Sequence, residues 1–499
     1  MSFPFDQLEK LNVDISRLVT DSRTVQVGDT FIAYPGGQSD GRDHIEEAIA
    51  RGANAVIWEQ GDFEWPEKWQ VANLGVAGLR HKMGWLANSV NGAPSEKLWT
   101  VGITGTNGKT STSHWVAHAL NDAERKCALI GTLGNGFAHE LQSTINTTPD
   151  AVRIHGILAE YLKRGAQAVA MEVSSHALSQ DRVNGVHFDV AMLTNLSRDH
   201  LDYHGDMQSY ADAKRKLFDW DGLKYAVLNF DDAYGVALSE ELQDAEVEVI
   251  GYGLTDASLR HAENLGVRMV YGNILEMDSG GLKISVHSSW GAAQIDSGLL
   301  GKFNAANLLG SLATLLVSEV ELDDAVRSLS EVAPVAGRME RVGGGQQPTV
   351  IVDYAHTPDA LEKVLLALRE TNQGAGILLC VFGCGGDRDQ GKRPVMGLIA
   401  EKYSDTCIVT SDNPRNEDPQ TIIAEIVGGM SEKNHEIIAD RADAIQQAIK
   451  RAKQGDIVLI AGKGHEEYQE VLGIRHPFSD IQLARQTLGS VQNTAEVST

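Results

Sequence analysis

The chain has 499 residues, enough for about three domains of ordinary size. Apolar residues make up 42% and charged residues 22%, which is typical of a globular protein and excludes disordered, collagen-like and coiled-coil classes for most of the chain. Asp and Glu (68) outnumber Lys and Arg (43), and the net charge of −25 argues against binding to nucleic acid or to an anionic membrane, because both need a broad basic surface.

The sequence carries no sign of export or membrane insertion. Its N-terminus lacks the basic start and apolar core of a signal peptide. The longest apolar-rich stretch, Ala305–Val317, is too short to span a bilayer. Four cysteines are too few for a disulfide framework, and the lone CxxxC pair, Cys380 and Cys384, indicates either buried thiols or, alternatively, metal or redox ligands. We expect a cytoplasmic protein.

Short apolar runs alternate with segments of helical length, and this pattern predicts βαβ units with parallel sheets. Residues 1–95 contain the strand-like runs Phe31–Tyr34 and Ala55–Glu59 and are predicted to form a small α/β domain. Residues 253–300 are richer in Gly and Ser, and they are either an antiparallel addition to the next domain or a packed excursion from it.

A second predicted domain, residues 96–333, opens on the strand Leu98–Thr104, which leads into Gly105-Thr106-Asn107-Gly108-Lys109-Thr110-Ser111 and a helix-like run. Strand, glycine turn, Lys-Thr and helix is the order of a phosphate-binding loop. We expect Lys109 to reach terminal phosphates and the Thr110 hydroxyl to bind Mg²⁺. Ile103 stands where the strict GxxxxGK[ST] pattern has its first glycine, so the alternative is a tight turn with an incidental lysine.

Two later strands of this domain end in polar groups. Glu172 lies at the end of the run Ala168–Val173, and a carboxylate there needs a cation or donors, so it is either a Mg²⁺ ligand or a helix cap or salt-bridge partner. The run Phe188–Asn195 is followed by Leu196–Gly205, which holds an Arg, two Asp and two His. That segment indicates a site or, alternatively, a solvated charged loop, and position alone does not select one histidine.

Tyr210, Lys214 and Phe218 share one face of a predicted helix at i, i+4 spacing. Spacing alone favours a lysine at the edge of the core that extends its amine to solvent.

The last predicted domain, residues 334–499, contains a series of strands that each end in a polar or glycine-rich cluster. The strands are Thr349–Ala355, Gly376–Gly383, Thr406–Asp412 and Asp456–Gly462. Ligands of open α/β sheets bind beyond the carboxyl ends of strands, so this edge is a predicted binding site. The tail after Leu488 is predicted to be disordered.

The motifs GTNGKT, MEVSSHAL, TNLSRDHLDYHGDM, ADAKRKLF, GKFNAAN, GRME, VDYAHTPDA, GCGGDRD, SDNPRNEDP and AGKGHE together resemble the ATP-dependent Mur ligases of peptidoglycan synthesis. The resemblance spans about residues 21–480. It implies an α/β fold of three domains: a small N-terminal domain for the UDP end of the substrate, a central phosphate-loop ATPase domain with a mainly parallel sheet, and a Rossmann-like C-terminal domain for the incoming amino acid. The implied activity is addition of meso-2,6-diaminopimelate to UDP-N-acetylmuramoyl-L-alanyl-D-glutamate through an acyl phosphate.

The resemblance also implies roles for particular residues, with ATP and two Mg²⁺ ions as cofactors. The implied ATP contacts are the loop Gly105–Ser111 with Asn304, Arg338, Asp353 and His356. The implied metal ligands are Thr110, Glu172, His200 and Lys214, the last as a carbamate, and Lys109, Glu172, His200 and Lys214 are the implied catalytic set. The implied contacts to the UDP-muramoyl-dipeptide are Thr20, Ser22, Gln38, Ser39, Asn146, Thr147, Thr148, Ser174, Gln180 and Arg182. The implied diaminopimelate contacts are Arg388, Asp412, Asn413, Pro414, Arg415, Gly462 and Glu466.

The segment Asp412–Arg415 resembles the signature of the diaminopimelate-adding branch, and its alternative is an N-capped turn before the next helix. Two rival functions are a related ligase that adds lysine or glutamate to another acceptor, and a regulatory phosphate-loop NTPase. We expect a monomer.

Overall fold

The computed structural model describes residues 3–36, 39–144, 146–372, 376–431 and 434–496. The predicted substrate contact Gln38 therefore lies outside the described residues. The N-terminal elements are α1 (Phe5–Glu9), β1 (Leu18–Val19), β2 (Thr30–Ala33), α2 (Ile45–Ala50), β3 (Ala55–Glu59), β4 (Ala72–Val76) and α3 (Leu79–Val90). Strands β1 to β4 pair in that order, all parallel. The apolar runs of β2 and β3 are buried along their length, as strands covered on both faces require.

The middle of the chain forms one large sheet with helices on both faces. Its strands are β5 (Trp99–Thr104), β6 (Cys127–Gly131), β7 (Gly134–Gly136), β8 (Ala168–Glu172), β9 (Val190–Leu193), β10 (Tyr225–Asn229), β11 (Glu248–Gly253), β12 (Arg268–Asp278), β13 (Gly281–Ser288) and β14 (Gly291–Ser297). Its helices are α4 (Lys109–Asp122), α5 (Ala151–Lys163), α6 (Ser175–Ser179), α7 (Leu201–His204), α8 (Met207–Arg215), α9 (Ala233–Glu241), α10 (Asp256–Leu265), α11 (Lys302–Val317) and α12 (Leu322–Glu331).

Strand β5 lies between β8 and β9 in this sheet, and all three are parallel. The register places Ile103 opposite Glu172 and Thr104 opposite Leu193. The phosphate loop, Glu172 and the segment after β9 therefore meet at one carboxyl edge, where the chain crosses from one side of β5 to the other.

Within residues 253–300, helix α10 leads into β12, which is parallel to β11 and starts an antiparallel addition, so the alternative of a packed excursion is wrong. β12, β13 and β14 pair antiparallel at the edge of the sheet. Along β13 the residues Leu282, Ile284 and Val286 are buried and alternate with more exposed ones, as expected for a strand with one covered face.

The apolar stretch Ala305–Val317 belongs to α11, whose side chains are almost all buried in the core of the middle domain. In the part of the chain that the structure describes, no helix has the length and apolarity to cross a bilayer.

The C-terminal elements are β15 (Glu340–Gly343), β16 (Thr349–Asp353), α13 (Pro358–Asn372), β17 (Leu378–Phe382), α14 (Lys392–Tyr403), β18 (Thr406–Val409), α15 (Pro419–Val427), β19 (His435–Ile437), α16 (Arg441–Arg451), β20 (Ile457–Ala461), β21 (Tyr468–Val471), β22 (Ile474–Pro477) and α17 (Asp480–Glu496). The sheet order is β15-β16-β20-β17-β18-β19, and β16, β20, β17 and β18 are parallel. Asp353 pairs with Ala461 and Phe382 with Val409. The polar clusters that follow these strands therefore share one edge.

The predicted disorder after Leu488 is wrong for the described residues, because α17 continues to Glu496. Ala484 and Leu488 are buried against the C-terminal sheet, and this packing fixes the first half of the helix. Polar composition at a chain end does not reveal such an anchor.

All four cysteines are buried and free. Burial raises the pKa of the Cys384 thiol to about 12. The thiols of Cys380 and Cys384 therefore behave as apolar core groups, in line with the first of the two interpretations.

A buried ion pair supports the end of β20. Arg441 donates to Asp480 at 2.8 and 2.7 Å and to the carbonyl of Ala461 at 3.0 Å, and both charged side chains are fully buried. We expect Asp480→Ala to destabilise the fold by about 3–5 kcal/mol, because it leaves a buried guanidinium without its carboxylate. Urea unfolding measures the effect. In the exposed pair Arg451–Glu436, Glu436→Ala is the control and should cost less than about 1 kcal/mol. Equal costs for the two variants would contradict the prediction.

Candidate active site

The loop after β5 packs closely against the segment that follows β9. Gly105 (φ +142°) and Gly108 (φ +90°) adopt conformations that favour glycine, and a Cβ on Gly105 would lie 1.9 Å from Thr194 Oγ1. The Lys109 ammonium lies inside the loop and donates to the carbonyls of Gly105 (2.8 Å) and Thr106 (2.9 Å). Burial lowers the pKa of Lys109. A glycine loop that holds its own lysine in this way is compatible with the predicted anion-binding loop.

Glu172 is fully buried beside this loop. Its carboxylate accepts from Thr110 Oγ1 (2.9 Å), from the Thr132 backbone N–H (2.8 Å) and from Thr132 Oγ1 (3.1 Å). Among the described residues it has no cationic partner within 4.0 Å, and α6 is capped by Ser174 instead. The salt-bridge and helix-cap alternatives are therefore not what the structure contains. A hydroxyl beside an unneutralised buried carboxylate is a donor set suited to Mg²⁺.

Asp199 and three histidines line the next strand end. His200 Nε2 lies 3.2 Å, and His356 Nε2 3.7 Å, from Asp199 Oδ2. Burial lowers the pKa of His200 to about 3 and that of His176, whose ring centre is 4.7 Å from the His200 ring, to about 4. Burial opposes ionisation of Asp199, but the nearby imidazoles of His356 and His200 hold the pKa of that carboxyl below its ordinary value. Asp199 is buried and His200 and His356 are only partly exposed, whereas Arg198 and Asp202 of the same segment are exposed, so the segment encloses one carboxylate and is solvated elsewhere.

Lys214 is 1% exposed, so the prediction of an amine that reaches solvent is wrong. Its Nζ donates to the Gly105 carbonyl (3.0 Å), the same oxygen that Lys109 uses, and lies 4.4 Å from the centre of the Tyr210 ring. Burial and the charge of Lys109 lower the pKa of Lys214 well below its ordinary value. Spacing could not reveal the burial of Lys214. Tyr210 points inward and forms a hydrogen bond with Thr106 (3.1 Å), so the helix face that Tyr210 shares with Lys214 is turned toward the loop.

The predicted nucleotide contacts of the C-terminal region lie against this loop. Arg338 donates to Thr110 Oγ1 (3.3 Å) and stacks over Tyr354 (4.3 Å). Asp353 accepts from the N–H groups of Met339 and Ala355, both at 2.7 Å, and burial raises its pKa. Asp353 thus fixes the segments that carry Arg338 and His356.

Asn304 is buried and donates to the Leu300 carbonyl (2.9 Å). Asp359, at the start of α13, accepts from Asn107 Nδ2 (3.0 Å) and Ser197 Oγ (3.1 Å), and Arg198 pairs with Asp389 (3.2 Å). These contacts join the middle and C-terminal domains at the phosphate loop.

Part of the predicted substrate set forms a second group beside Glu172. Thr148 Oγ1 donates to the Glu172 carbonyl (2.8 Å), and Arg182 Nη1 donates to the Thr148 carbonyl (3.0 Å). Ser174 bonds Thr148, Gln180 accepts from Arg182 (3.0 Å), and the hydroxyls of Thr147 and Thr132 are 3.1 Å apart.

The remaining predicted substrate residues are not brought to this group by any described hydrogen bond. Ser22 donates to Glu47 (2.7 Å) within the N-terminal domain, where Thr20 and Ser39 also lie. Asn146 accepts from Thr144 through its carbonyl.

Asn413 is the centre of the predicted amino-acid site. Its amide donates to Glu466 (2.8 Å) and accepts from Lys463 (3.1 Å) and from the Glu470 N–H (2.9 Å). Lys463 is fully buried and also pairs with Glu466 (3.0 Å). Sequence reasoning missed Lys463, although it stands inside the AGKGHE motif, because a lysine between glycines carries no burial signal.

The loop around Asn413 leaves two guanidinium groups without carboxylate partners. Arg415 donates to the Gly386 carbonyl (2.8 Å) and Arg388 to the Asp387 carbonyl (3.3 Å). Within the described residues neither has a carboxylate oxygen within 4.0 Å. The alternative of an N-capped turn is wrong, since Asp418 caps α15. Asp412 packs on Gly462, where a Cβ would lie 2.6 Å from its Oδ2.

The phosphate loop and the Asn413 centre are linked through the C-terminal strand ends. Tyr354, stacked on Arg338, has its ring centre 5.4 Å from that of His465, the neighbour of Glu466. The described residues contain no group of three or more His, Cys, Asp or Glu side chains arranged for a metal. A metal at the loop would therefore rely on mixed ligands. A glycine loop that holds a lysine, near two guanidiniums without a described carboxylate partner, is an arrangement that suits an ATP-dependent ligase.

Comparison with known proteins identifies the class. Three family models match: Mur ligase family, catalytic domain (residues 14–90), Mur ligase middle domain (103–315) and Mur ligase, glutamate ligase domain (337–464). The chain belongs to the Mur ligase family. The expected family and three-domain α/β fold are confirmed.

Individual relatives point to one branch. A UDP-N-acetylmuramoyl-L-alanyl-D-glutamate–2,6-diaminopimelate ligase from Chromobacterium violaceum is 50% identical over 482 residues, 96% of each chain. The same-named protein of Nitrosomonas europaea is 50% identical over 491 residues, covering 96% of this chain and 94% of its own. A solved structure of a ligase with this name is 35% identical and covers 99% of this chain and 100% of its own, with a TM-score of 0.68.

Proposed function

We propose that the protein is an ATP-dependent amide-forming ligase that adds meso-2,6-diaminopimelate to UDP-N-acetylmuramoyl-L-alanyl-D-glutamate. The observation that carries the proposal is the pair of guanidiniums, Arg415 and Arg388, which have no carboxylate partner among the described residues and lie beside the Asn413–Glu466–Lys463 centre. Diaminopimelate has a second carboxylate and a second ammonium that match these groups. The near-full-length relatives support the same assignment.

The reaction begins with transfer of the terminal phosphoryl group of ATP to the side-chain carboxylate of the D-glutamyl residue, which gives an acyl phosphate and ADP. The amine of diaminopimelate then attacks the acyl carbon, and phosphate leaves as the amide forms. Lys109 is placed to move from the loop carbonyls to the phosphates and to stabilise the charge that develops during transfer. Arg338 and His356 lie on the nucleotide side, and Thr147, Thr148, Ser174, Gln180 and Arg182 on the side of the muramoyl-peptide.

We assign Mg²⁺ to the groups around Glu172. Thr110, Glu172, His200 and a carbamate on Lys214 would hold two ions, which supply charge neutralisation and orientation for the phosphates. The buried, unneutralised Glu172 carboxylate and the neutral His200 imidazole fit that role.

Each of the three domains binds a different reactant. Residues 1–95 serve the UDP end, 96–333 the ATP, and 334–499 the amino acid, in a cytoplasmic monomer.

Lys214 is expected to react with CO₂, giving Lys–NH–COO⁻ and a released proton. A neutral amine is required, and burial together with the charge of Lys109 lowers the pKa of Lys214, which increases the share of that form. Carbon-13 NMR of the protein in labelled bicarbonate should give a carbamate signal that Lys214→Met removes together with activity. Lys216→Met, next to the same helix end, is the control and should keep both. A carbamate signal that persists in Lys214→Met would contradict the assignment.

Phosphate release from ATP tests the function as a whole. With the UDP-dipeptide present, meso-diaminopimelate should drive turnover and L-lysine or L-glutamate should not. Turnover that prefers lysine or glutamate would favour the related ligase, and turnover without any UDP-dipeptide would favour the regulatory NTPase.

A further inference from the structure

The hairpin β21–β22 is a separate two-stranded sheet that lies against the loop of Arg415. Its outer strand, β22, is exposed throughout, and its tip residue Leu472 is 71% exposed. The hairpin contributes little to the core, so its contacts with the loop call for another explanation.

The contacts are hydrogen bonds along the whole loop. The Arg415 N–H donates to the Glu470 carbonyl (3.0 Å), and the Leu472 N–H donates to the Arg415 carbonyl (2.7 Å). The Glu470 N–H donates to Asn413 Oδ1 (2.9 Å). These bonds clamp the backbone of Arg415 on both sides, in a left-handed conformation (φ +51°) that a non-glycine residue seldom adopts without support.

One side chain of the hairpin adds to this clamp. Gln469 Nε2 donates to the Asp412 carbonyl (2.6 Å) and to Ser411 Oγ (2.9 Å). It therefore holds the start of the loop, where β18 ends, while the hairpin backbone holds the other end. The Arg415 guanidinium itself has a described hydrogen bond to the Gly386 carbonyl alone, so its position depends on the loop that carries it.

We propose that Gln469 is a positioning residue for selection of the amino acid: by fixing the loop Asp412–Arg415 it aims Arg415 at the second carboxylate of the incoming diaminopimelate. The inference rests on the proposed function and adds a residue to its specificity. An amino acid without a second carboxylate, such as L-lysine, cannot make that contact, so the position of Arg415 does not increase its affinity.

Gln469→Met tests the proposal, because methionine has similar length and no donor. We expect the ratio of kcat/KM for meso-diaminopimelate to kcat/KM for L-lysine to fall by about tenfold, mainly through a higher KM for diaminopimelate. The KM for ATP should not change. In an Arg415→Ala background the same substitution should leave the ratio as it is. His476→Ala, opposite Gln469 in the hairpin, is the matched control and should leave the ratio unchanged.

An unchanged ratio in Gln469→Met, or an equal fall in the Arg415→Ala background, would overturn the inference. Gln469→Asn, whose amide is one methylene short of the loop, gives the same test should the first variant not fold. A wild-type enzyme that does not use diaminopimelate would instead refute the proposed function, so the two failures are distinct.

Discussion

Replacing Lys109 by methionine is expected to lower kcat for ADP formation by about 10²–10³-fold, the loss typical of removing one preorganised charge-stabilising donor. Methionine preserves the length of the side chain, whereas the ammonium, now held by the Gly105 and Thr106 carbonyls, would be gone. Single-turnover formation of ADP with all substrates present is the measurement.

Lys97→Met is the control for Lys109, because the Lys97 amine also donates to a backbone carbonyl, that of Gly92, but on the exposed surface. It should keep wild-type kcat. If Lys109→Met stays within a few-fold of the wild type, the loop does not perform the phosphoryl transfer.

Arg415→Ala is expected to lower kcat/KM for meso-diaminopimelate by about 10²-fold. A charged hydrogen bond contributes about 1.5–3 kcal/mol, and a bidentate carboxylate contact makes two. The proposed nucleotide contact Arg338 is linked to the Asn413 centre indirectly, through Tyr354 and His465, so we expect the affinity for ATP to survive. Steady-state kinetics with varied diaminopimelate and titration with a fluorescent ATP analogue measure the two effects.

Arg451→Ala, which removes an exposed guanidinium of α16, controls for the change in net charge. Activity of Arg415→Ala equal to that of the wild type would remove Arg415 from the site. Loss of ATP binding along with diaminopimelate addition would show that the substitution disturbs more than the amino-acid pocket.

The general position of this site can be predicted from the sequence, because the order of the strands determines which strand ends lie together. Gly105–Thr110 follows β5, and Glu172 is the last residue of β8. These two strands are parallel neighbours, so the loop and the carboxylate lie at the same edge of the sheet. The C-terminal clusters meet for the same reason. Asp418 illustrates the limit of local patterns, since the helix cap lies several residues beyond Asp412 and only the structure separates the two.

Burial of charged groups is what the sequence could not reveal. Lys214 and Lys463 are both fully enclosed, yet the spacing around Lys214 favours a lysine at the edge of the core and Lys463 lies in a glycine-rich turn. Their environments come from distant segments: the Gly105 carbonyl for Lys214, and Asn413 and Glu466 for Lys463. Asp199 was passed over for the same reason, because its partner His356 is far along the chain.

The contacts of Asp359 with Asn107 and Ser197, and of Arg198 with Asp389, have a consequence for the order of events in the catalytic cycle. These contacts are two hydrogen bonds and one ion pair whose arginine is half exposed, so their own release costs only a few kcal/mol, whereas the packing of Leu300 and Phe303 on the C-terminal core is a separate link between the domains. Because Asn107 belongs to the proposed nucleotide loop, we expect departure of ADP and release of these contacts to be a coupled step. Added salt should hasten that step before it weakens the fold.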